Sequence, residues 1–312
     1  MSANHFYLQD ILTADQFSKE DLQVVVKAAK KMKKLVETKG GSDILKGKLM
    51  TALFYEPSSR TFGSFISSMQ RLGGCFIPLQ GVAYSSVSKG ETLPDTIRTF
   101  SSYSDIIVIR HPEVGSAKIA AEFSEKPVIN AGDGVGEHPT QSLLDFFTIS
   151  NHFDGPEGLT VTMVGDLMNG RTIHSLSKLL SLYKNVTINL VSPEILQIPK
   201  TIKEQLVKRG VKVVVKETLE DVIGDTDVLY VTRVQKERFT DLDLYEKLKH
   251  HYIITPELLK KAKKTMVVMH PLPRVGEITM DVDLDKRAIY MTEQMRNGMY
   301  VRMALLSMIL LK

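Results

Sequence analysis

Residues 49–72, LMTALFYEPSSRTFGSFISSMQRL, combine an apolar run, a short polar turn and an amphipathic segment. The run from Leu49 to Tyr55 predicts a strand. The segment from Ser58 to Leu72 predicts a helix, because apolar side chains recur along it at helical spacing. These side chains are Phe62, Phe65, Ile66, Met69 and Leu72. A strand that passes through a polar turn into a helix is the repeating unit of an α/β fold.

The same alternation continues along the chain. In the first half it predicts strands at 75–79, 105–109 and 127–130, helices at 91–103 and 138–153, and an exposed mobile loop at 81–89. A segment containing Gly and Pro predicts a hinge at 151–158. Beyond it, short apolar runs typical of strands buried on both faces of a parallel sheet occur at 161–164, 186–191, 211–215, 228–231 and 266–269. We therefore predict two doubly wound, parallel-sheet α/β domains, which agrees with a length of 312 residues.

The C-terminal segment from Gly298 to Lys312 follows the last predicted strand. It predicts an amphipathic helix, from the spacing of Val301, Leu305 and Met308. The sequence allows this helix to dock on either half of the molecule.

The composition is that of an ordinary globular protein, with 43% hydrophobic and 24% charged residues. A formal net charge of +4 excludes a polybasic nucleic-acid binder but permits a local phosphate site. Cys75 is the only cysteine, which excludes an internal disulfide and a Cys-rich zinc site and fits a reducing compartment. No apolar run reaches the roughly 18 residues of a membrane span, and the N-terminus lacks a secretory pattern. We therefore expect a soluble cytoplasmic protein with no membrane or nucleic-acid partner.

The turn at 56–61 is the densest group of anion-binding residues. Ser58, Ser59 and Thr61 supply three hydroxyls, and Arg60 adds a charged donor fork at the start of the predicted helix. The first four N–H groups of a helix have no partner within it, so such a helix end binds anions. The residues by themselves also allow a simpler interpretation, in which a serine caps the helix and its neighbours are solvated.

Further polar groups follow predicted strands of the first half. Arg110 comes directly after the strand at 105–109, at the strand end where α/β proteins bind ligands. His138 and Gln141 are three residues apart at the start of a helix and therefore share one face. A surface salt bridge for Arg110 and a structural role for His138 are the alternatives.

In the second half, arginines follow two predicted strands. The segment GDLMNGRT at 165–172 imitates the phosphate-binding loop of NTPases, but Arg171 stands where that loop needs a lysine. We therefore interpret Arg171 as a bidentate donor to a carboxylate, and Arg233, with the amide of Gln235 two residues on, as a second donor. Two such forks suit a dicarboxylate ligand. The alternative is that both arginines form surface or interdomain ion pairs.

A stiff turn, HPLPR at 270–274, follows the last predicted strand. Pro271 and Pro273 hold Leu272 in a restricted conformation that is able to aim backbone carbonyls, and an X–Pro bond in such a turn is able to be cis. The alternative is a rigid loop with no part in ligand binding.

Together these segments resemble the aspartate carbamoyltransferase family over nearly the whole chain. Six blocks occur in the family's order and spacing: EPSSRT at 56–61, KGETL at 89–93, RHP at 110–112, HPTQ at 138–141, GRT at 170–172 and HPLPR at 270–274. Each is a modest motif by itself, and the combination is highly specific. The segment NGMYVRM at 297–303 resembles the fused eukaryotic type of the family. A stand-alone enzyme and a domain of a multifunctional protein both fit this resemblance.

The resemblance implies transfer of the carbamoyl group from carbamoyl phosphate to L-aspartate, an early step of pyrimidine synthesis, without a cofactor. It implies a carbamoyl-phosphate domain at 1–142 and 293–312 and an aspartate domain at 150–290, with the active site between them. It also implies a homotrimer in which Ser85 and Lys89 reach the site of the adjacent subunit.

The resemblance also assigns a role to each site residue. The phosphate is implied to bind Ser58, Ser59, Arg60 and Thr61. The carbamoyl oxygen is implied to lie among Thr61, Arg110 and His138, with Gln141 near the carbamoyl amide. The catalytic set is thus Arg60, Thr61, Arg110 and His138. The aspartate carboxylates are implied to bind Arg171, Arg233 and Gln235, and the substrate amino groups to meet carbonyls of the turn formed by Pro271, Leu272 and Pro273. Glu56 is implied to pair with Arg171 and Arg238 across the domains.

Two other functions fit the residues less well. Ornithine carbamoyltransferase is similar in its phosphate block but carries a cysteine where this chain has Pro271, and ornithine, a cation with one carboxylate, suits two arginine forks poorly. A non-catalytic relative is expected to lack a charged site residue, and none is missing. The chain departs from the family pattern at Met168 and Asn169, where many relatives have Lys-Tyr. It also departs at 290–294, which is one residue longer than the usual spacing to Gly298.

Overall fold

The computed structural model describes residues 4–81, 86–236, 239–249 and 251–312. The chain divides into two compact units. The first unit comprises Met1–Phe147 and Asn297–Lys312, and the second comprises Thr148–Arg296. Within the described ranges, no helix is long and apolar enough to span a membrane.

The first part of the chain forms a four-stranded sheet with helices in between. Its elements are α1 (Lys19–Lys39), β1 (Leu49–Phe54), α2 (Ser59–Arg71), β2 (Cys75–Gln80), α3 (Leu93–Tyr103), β3 (Ile106–His111), α4 (Ser116–Phe123), β4 (Val128–Asp133) and α5 (Pro139–Phe153). The strand order is β2-β1-β3-β4, and every pair is parallel. The predicted strand, turn and helix at 49–72 are confirmed, with bounds that differ by at most one residue.

The second part forms a five-stranded parallel sheet in the order β7-β6-β5-β8-β9. Its elements are β5 (Thr160–Val164), α6 (Arg171–Leu180), β6 (Thr187–Val191), α7 (Lys200–Lys208), β7 (Lys212–Lys216), β8 (Val228–Val231), α8 (Leu242–Leu248), α9 (Pro256–Leu259) and β9 (Val267–Met269). Along β8, Val228 and Tyr230 belong to one hydrophobic cluster, and Leu229 and Val231 belong to another. Since side chains alternate between the faces of a sheet, this sheet is covered on both faces. The predicted fold class, two parallel-sheet α/β domains, is confirmed.

One predicted interior strand lies instead at an edge. The run at 211–215 has the pattern of a strand buried on both faces, but β7 lies at the edge of the sheet beside β6 and is half-exposed. Val215 is 41% exposed, and Lys212 and Lys216 are exposed at the strand ends. An edge strand has one free side, and flanking lysines discourage pairing with other chains. The run of valines has the local pattern of an interior strand. Its place at the edge depends on the order in which the strands pair, which the local sequence does not show.

The first helix begins at a capping box that the sequence-based prediction did not use. The Ser18 hydroxyl accepts a hydrogen bond from the backbone N–H of Asp21 at 3.1 Å, and the Asp21 carboxylate accepts one from the backbone N–H of Ser18 at 2.9 Å. This S-x-x-D pattern is a local signal for a helix start. This signal predicts α1, a helix that the sequence-based prediction did not include.

A π-helical turn at Tyr290–Gln294 precedes the last helix, α10 (Met295–Leu310). The backbone N–H of Gln294 donates to the carbonyl of Ile289 at 3.0 Å, which is an i→i+5 bond. A π turn inserts one residue into a helix. It therefore accounts for the extra residue between this segment and Gly298.

Helix α10 is buried on nearly all sides, so the predicted amphipathic pattern is wrong. A helix that is covered on nearly all sides is a core helix, and α10 buries the polar side chains of Asn297 and Arg302 with its apolar ones. Its C-terminal end packs in the first unit, where the Asn4 amide donates to the carbonyls of Met308 and Leu311 and the N–H of Leu8 donates to the carbonyl of Ile309.

Candidate active site

The first sheet changes winding direction between β1 and β3. Strand β2 lies on one side of β1, and β3 and β4 lie on the other. Open α/β sheets bind ligands at such a switch point, outside the carboxyl ends of the strands. Phe54, the last residue of β1, is in register with Arg110 of β3. The predicted phosphate turn and Arg110 therefore lie at the same sheet edge.

The start of α2 is an uncapped helix N-terminus. The Ser58 carbonyl accepts the first helical bond, from the N–H of Phe62 at 3.1 Å. Its side chain forms no capping hydrogen bond with any residue that the structure describes, so the simple capping interpretation is wrong. Thr61 is buried, whereas Ser59 and Arg60 are exposed. This helix end therefore presents backbone N–H groups, hydroxyls and a guanidinium to an anion.

The Arg110 guanidinium contacts Glu56 and Ala131. Its Nη2 lies 3.3 Å from Oε2 of Glu56, and its Nη1 donates to the carbonyl of Ala131 at 3.4 Å. Both side chains of the ion pair are mostly buried. Sequence reasoning did not find this pair, because it assigned Glu56 to Arg171 and Arg238. The pair fixes the guanidinium at the edge of the sheet and partly neutralises it.

His138 ends the loop after β4 and caps α5 with its backbone. Its carbonyl accepts hydrogen bonds from the N–H groups of Gln141 at 2.9 Å and Ser142 at 3.2 Å. The His138 side chain is 4% exposed. The Gln141 amide donates to Oδ1 of Asp145 at 3.0 Å, one turn further along the helix. Asp145 is fully buried, and its i,i+4 spacing from Gln141 is a signal that the sequence-based prediction did not use.

The second sheet changes winding direction between β5 and β8. Gly165 follows β5 with φ +116°, and a Cβ atom there would lie 2.1 Å from the carbonyl oxygen of Thr232, which follows β8. Only glycine permits this approach. It brings together the two loops that carry Arg171 and Arg233, the predicted carboxylate donors.

Asp166 ties these two loops together. Its buried carboxylate accepts hydrogen bonds from the backbone N–H of Asn169 at 2.9 Å, from the Asn169 amide at 3.1 Å and from the backbone N–H of Gln235 at 3.4 Å. The Gln235 amide donates to the carbonyl of Asn169 at 2.9 Å. Burial raises the pKa of Asp166, and the bonds from Asn169 and Gln235 oppose that shift. Arg171 begins α6, and its side chain, like that of Arg233, is half-buried.

The turn after β9 is supported by a buried histidine and carboxylate. His270 Nε2 lies 2.6 Å from Oε1 of Glu277, and its Nδ1 accepts a hydrogen bond from the backbone N–H of Leu272 at 2.7 Å. The proton on this neutral ring therefore lies on Nε2. Leu272 has φ +57°, and the bond between Leu272 and Pro273 is cis. Glu277 was not predicted from the sequence.

The remaining predicted residues are less well connected. Lys89 is exposed at the end of a short 3₁₀ helix, Ser86–Lys89. Ser85 and Arg238 lie outside the described residues, as does part of the loop predicted to be mobile. In the part of the chain that the structure describes, no group of three or more His, Cys, Asp or Glu side chains could hold a metal ion.

These features define a class of protein. Each unit is an open parallel sheet with arginines at the carboxyl ends of its strands, and the first adds an uncapped helix N-terminus. Such an α/β protein binds small anionic ligands at its switch points.

Comparison with protein families specifies the family within this class. Residues 9–151 match the family described as aspartate/ornithine carbamoyltransferase, carbamoyl-P binding domain. Residues 157–309 match its counterpart, the Asp/Orn binding domain. The chain belongs to the aspartate/ornithine carbamoyltransferase family.

Individual relatives agree with this assignment. The chain is 50% identical over 309 residues to multifunctional protein pyr1-3 of Dictyostelium discoideum, covering 99% of this chain but 14% of the relative. It is 49% identical over 302 residues to the aspartate carbamoyltransferase catalytic subunit of Thermococcus gammatolerans, covering 97% of each. Aspartate transcarbamoylase from Trypanosoma cruzi, solved in complex with carbamoyl aspartate and phosphate, is 42% identical. It superposes with a TM-score of 0.94 over 99% of this chain and 98% of that one.

Proposed function

We propose that this chain transfers the carbamoyl group from carbamoyl phosphate to the amino group of L-aspartate, giving N-carbamoyl-L-aspartate and phosphate. The observation that carries the proposal is the uncapped N-terminus of α2 beside Arg110, in a chain that is 42% identical to an enzyme solved with carbamoyl aspartate and phosphate. The names of relatives that match over nearly their whole length support the same reaction.

In this proposal the first unit holds carbamoyl phosphate. The phosphate takes the N–H groups and side chains of the first turn of α2, namely Ser58, Ser59, Arg60 and Thr61. The carbamoyl oxygen takes Thr61, Arg110 and His138, and the carbamoyl amide lies near Gln141. The Glu56 carboxylate and the Asp145 carboxylate, through their contacts with Arg110 and Gln141, orient two of these donors before the ligand arrives.

The second unit holds aspartate in this proposal. Arg171 and Arg233 supply one guanidinium for each carboxylate, and Gln235 adds its amide. The carbonyls of Pro271 and Leu272 accept hydrogen bonds from the amino groups. Ornithine, with a single carboxylate, would leave one of the two half-buried guanidinium groups without a substrate carboxylate.

The reaction needs neither a protein nucleophile nor a metal in this scheme. The aspartate amine attacks the carbonyl carbon, forming a C–N bond, and negative charge grows on the carbonyl oxygen. The C–O bond to phosphate then breaks and its electron pair leaves with the phosphate, which accepts the proton that the amine releases. Each preorganised hydrogen-bond donor that faces such developing charge typically increases the rate by about 10²–10³-fold.

The proposal extends to assembly and location. We propose a homotrimer in which Ser85 and Lys89 serve the site of an adjacent subunit. We also propose that residues 1–142 and 293–312 form one domain and that residues 150–290 form the other. The chain is either a stand-alone enzyme or part of a multifunctional protein, since relatives of both kinds match it. A cytoplasmic location is proposed from the single cysteine, Cys75, which is a free thiol.

The first test is product formation from carbamoyl phosphate with aspartate and ornithine in parallel. We expect turnover with aspartate alone. Arg171→Ala should reduce kcat/KM for aspartate by about 10²–10³, while Lys200→Ala, which removes an 89%-exposed cation from the same unit, should leave it unchanged. Turnover with ornithine alone would show that the two arginines do not select a dicarboxylate. Absence of turnover with either acceptor would favour a non-catalytic relative.

A further inference from the structure

Arg302, on α10, is a buried cation that the proposed reaction does not use. Its side chain is packed in the first unit, and the residue is 3% exposed. Nη1 donates to the hydroxyl of Ser64 at 2.8 Å, and Nη2 lies 3.4 Å from the hydroxyl of Thr140. The guanidinium carbon lies 5.0 Å from the ring centre of Phe65. One side chain therefore contacts both α2 and α5.

Each contact lies close to a predicted ligand-binding residue. The Ser64 hydroxyl, which accepts from Arg302, itself donates to the carbonyl of Thr61 at 3.0 Å. Thr140 lies in the first turn of α5, directly before Gln141. The guanidinium is thus connected to the first turns of α2 and α5, the two helices that carry predicted ligand-binding residues.

Asp145 completes this buried group. Its carboxylate accepts the hydrogen bond from the Gln141 amide. Burial lowers the pKa of Arg302 to about 10, and the negative charge of Asp145 acts in the opposite direction. Arg302 therefore remains a cation at neutral pH, and it is paired electrostatically with the residue that orients Gln141.

Gly298, one turn before Arg302 on α10, leaves space for the guanidinium of Arg302. A Cβ atom on Gly298 would lie 2.7 Å from Nη1 of Arg302 and 3.1 Å from Leu144. Glycine in the interior of a helix costs about 1 kcal/mol relative to alanine. Its presence here is explained by the space that the Arg302 side chain occupies.

We propose that Arg302 is a positioning residue for the carbamoyl-phosphate site, which holds the first turns of α2 and α5 at a fixed separation. The proposal rests on the proposed function, because it assigns the ligand groups at those two turns. Displacing a binding group by about 1 Å is enough to cost about 10²-fold in activity. A side chain that anchors both turns therefore controls affinity without touching the ligand.

The competing explanation is that Arg302 merely neutralises the buried carboxylate of Asp145. The two explanations differ in a double variant, Arg302→Met with Asp145→Asn. It removes both charges, keeps similar side-chain lengths and leaves an amide oxygen for Gln141. If Arg302 only balances charge, the double variant should match the parent chain in both stability and ligand affinity. If Arg302 positions the helix turns, the double variant should match the parent chain in stability but bind the ligands more weakly.

The experiment measures dissociation constants for inorganic phosphate and carbamoyl phosphate by calorimetry, with melting temperatures on the same samples. We expect the double variant to melt within a few degrees of the parent chain and to bind both ligands at least about 10-fold more weakly. Affinity equal to that of the parent would overturn the proposal. Arg287→Met is the matched control, because Arg287 also joins separate segments of the chain, but in the second unit and through the carbonyls of Leu259 and Lys263 and the carboxylate of Asp285. It should lower the melting temperature and leave phosphate affinity unchanged.

A second variant keeps the test decisive if the double variant does not fold. Arg302→Lys retains the charge opposite Asp145 but loses the two-pronged contact with Ser64 and Thr140. It should fold, and it should bind phosphate several-fold more weakly; unchanged affinity would again overturn the proposal. A parent chain that binds phosphate but gives no turnover would reject the proposed function and not this inference. A parent chain that binds neither ligand would reject both.

Discussion

At the scale of single residues, the turn after β9 depends on two side chains. His270 accepts the backbone N–H of Leu272 and contacts Glu277, whose second oxygen accepts the backbone N–H of Val275 at 2.8 Å. Both side chains are almost completely buried. They satisfy two backbone N–H groups of the turn, those of Leu272 and Val275. The conformation of this turn is therefore set by side chains as much as by its prolines.

This pair predicts a pH-dependent contribution to stability. Burial alone would raise the pKa of Glu277, but the hydrogen bonds that its carboxylate accepts from His270 and from the backbone N–H of Val275 outweigh it, and the pKa lies below its usual 4.5. A carboxyl whose pKa falls on folding stabilises the folded chain above its unfolded pKa, and that contribution is lost as the pH falls through the folded pKa. We expect Glu277→Gln to lower the free energy of unfolding by about 1–3 kcal/mol at neutral pH. The deficit should shrink as the pH falls below 4.5.

Urea titrations of the parent chain and the variant across that pH range would measure the difference. Glu257→Gln is the control, because this glutamate is 74% exposed on α9 and should change stability little. A deficit of the same size at every pH would mean that the charge of Glu277 contributes nothing.

At the scale of elements, the approach of the loops after β5 and β8 depends on Gly165. Periodicity predicted both strands, but neither their adjacency nor the contact between Gly165 and Thr232, because the two strands are about 60 residues apart in sequence. Similar reasoning explains the errors at β7 and α10. Local patterns identify an element as apolar, but the neighbours that cover it determine how much of it is buried.

Gly165→Ala should therefore be more harmful than an ordinary glycine substitution. It would combine the cost of a positive φ, about 1–2 kcal/mol, with overpacking of about 1–3 kcal/mol against the Thr232 carbonyl. Gly210→Ala is a matched control, because Gly210 has φ +83° and a Cβ atom there would meet none of the described residues within 4 Å. Thermal unfolding should show a larger loss for Gly165→Ala, and the KM for aspartate should rise in that variant alone. Equal losses would show that the loop approach is not a constraint.

At the scale of the whole molecule, the proposed trimer makes a prediction about shared sites. Lys89 lies on an exposed 3₁₀ turn, whereas Arg60 lies in the first turn of α2. If Lys89 serves an adjacent subunit, a trimer that mixes Lys89→Ala and Arg60→Ala chains contains some sites with both residues intact. We expect each variant alone to be inactive and the mixture to regain part of the activity.

Dissociating and reassembling the two variants together, with sedimentation to measure the oligomer, would check this. The control is each variant carried through the same procedure alone. Active particles of only 35 kDa would contradict the trimer. Trimers without regained activity would mean that Lys89 acts within its own chain.

Local sequence patterns were sufficient to predict the alternation of strands and helices, the two-domain α/β class and the six blocks that identify the family. These properties depend on local periodicity and on residue types at short spacing, which any single stretch of chain carries. The capping box at Ser18 and the spacing of Gln141 and Asp145 were also present locally and were not used.

Which of these residues come into contact depends on the folded arrangement of the elements. It paired Glu56 with Arg110, tied Asp166 to Gln235, set Glu277 against His270 and brought Arg302 between α2 and α5. The partners in these contacts lie from seven residues to more than two hundred apart. Their pairing follows from strand order and helix docking, in which buried polar groups must find partners wherever the fold supplies them. No local pattern contains that information.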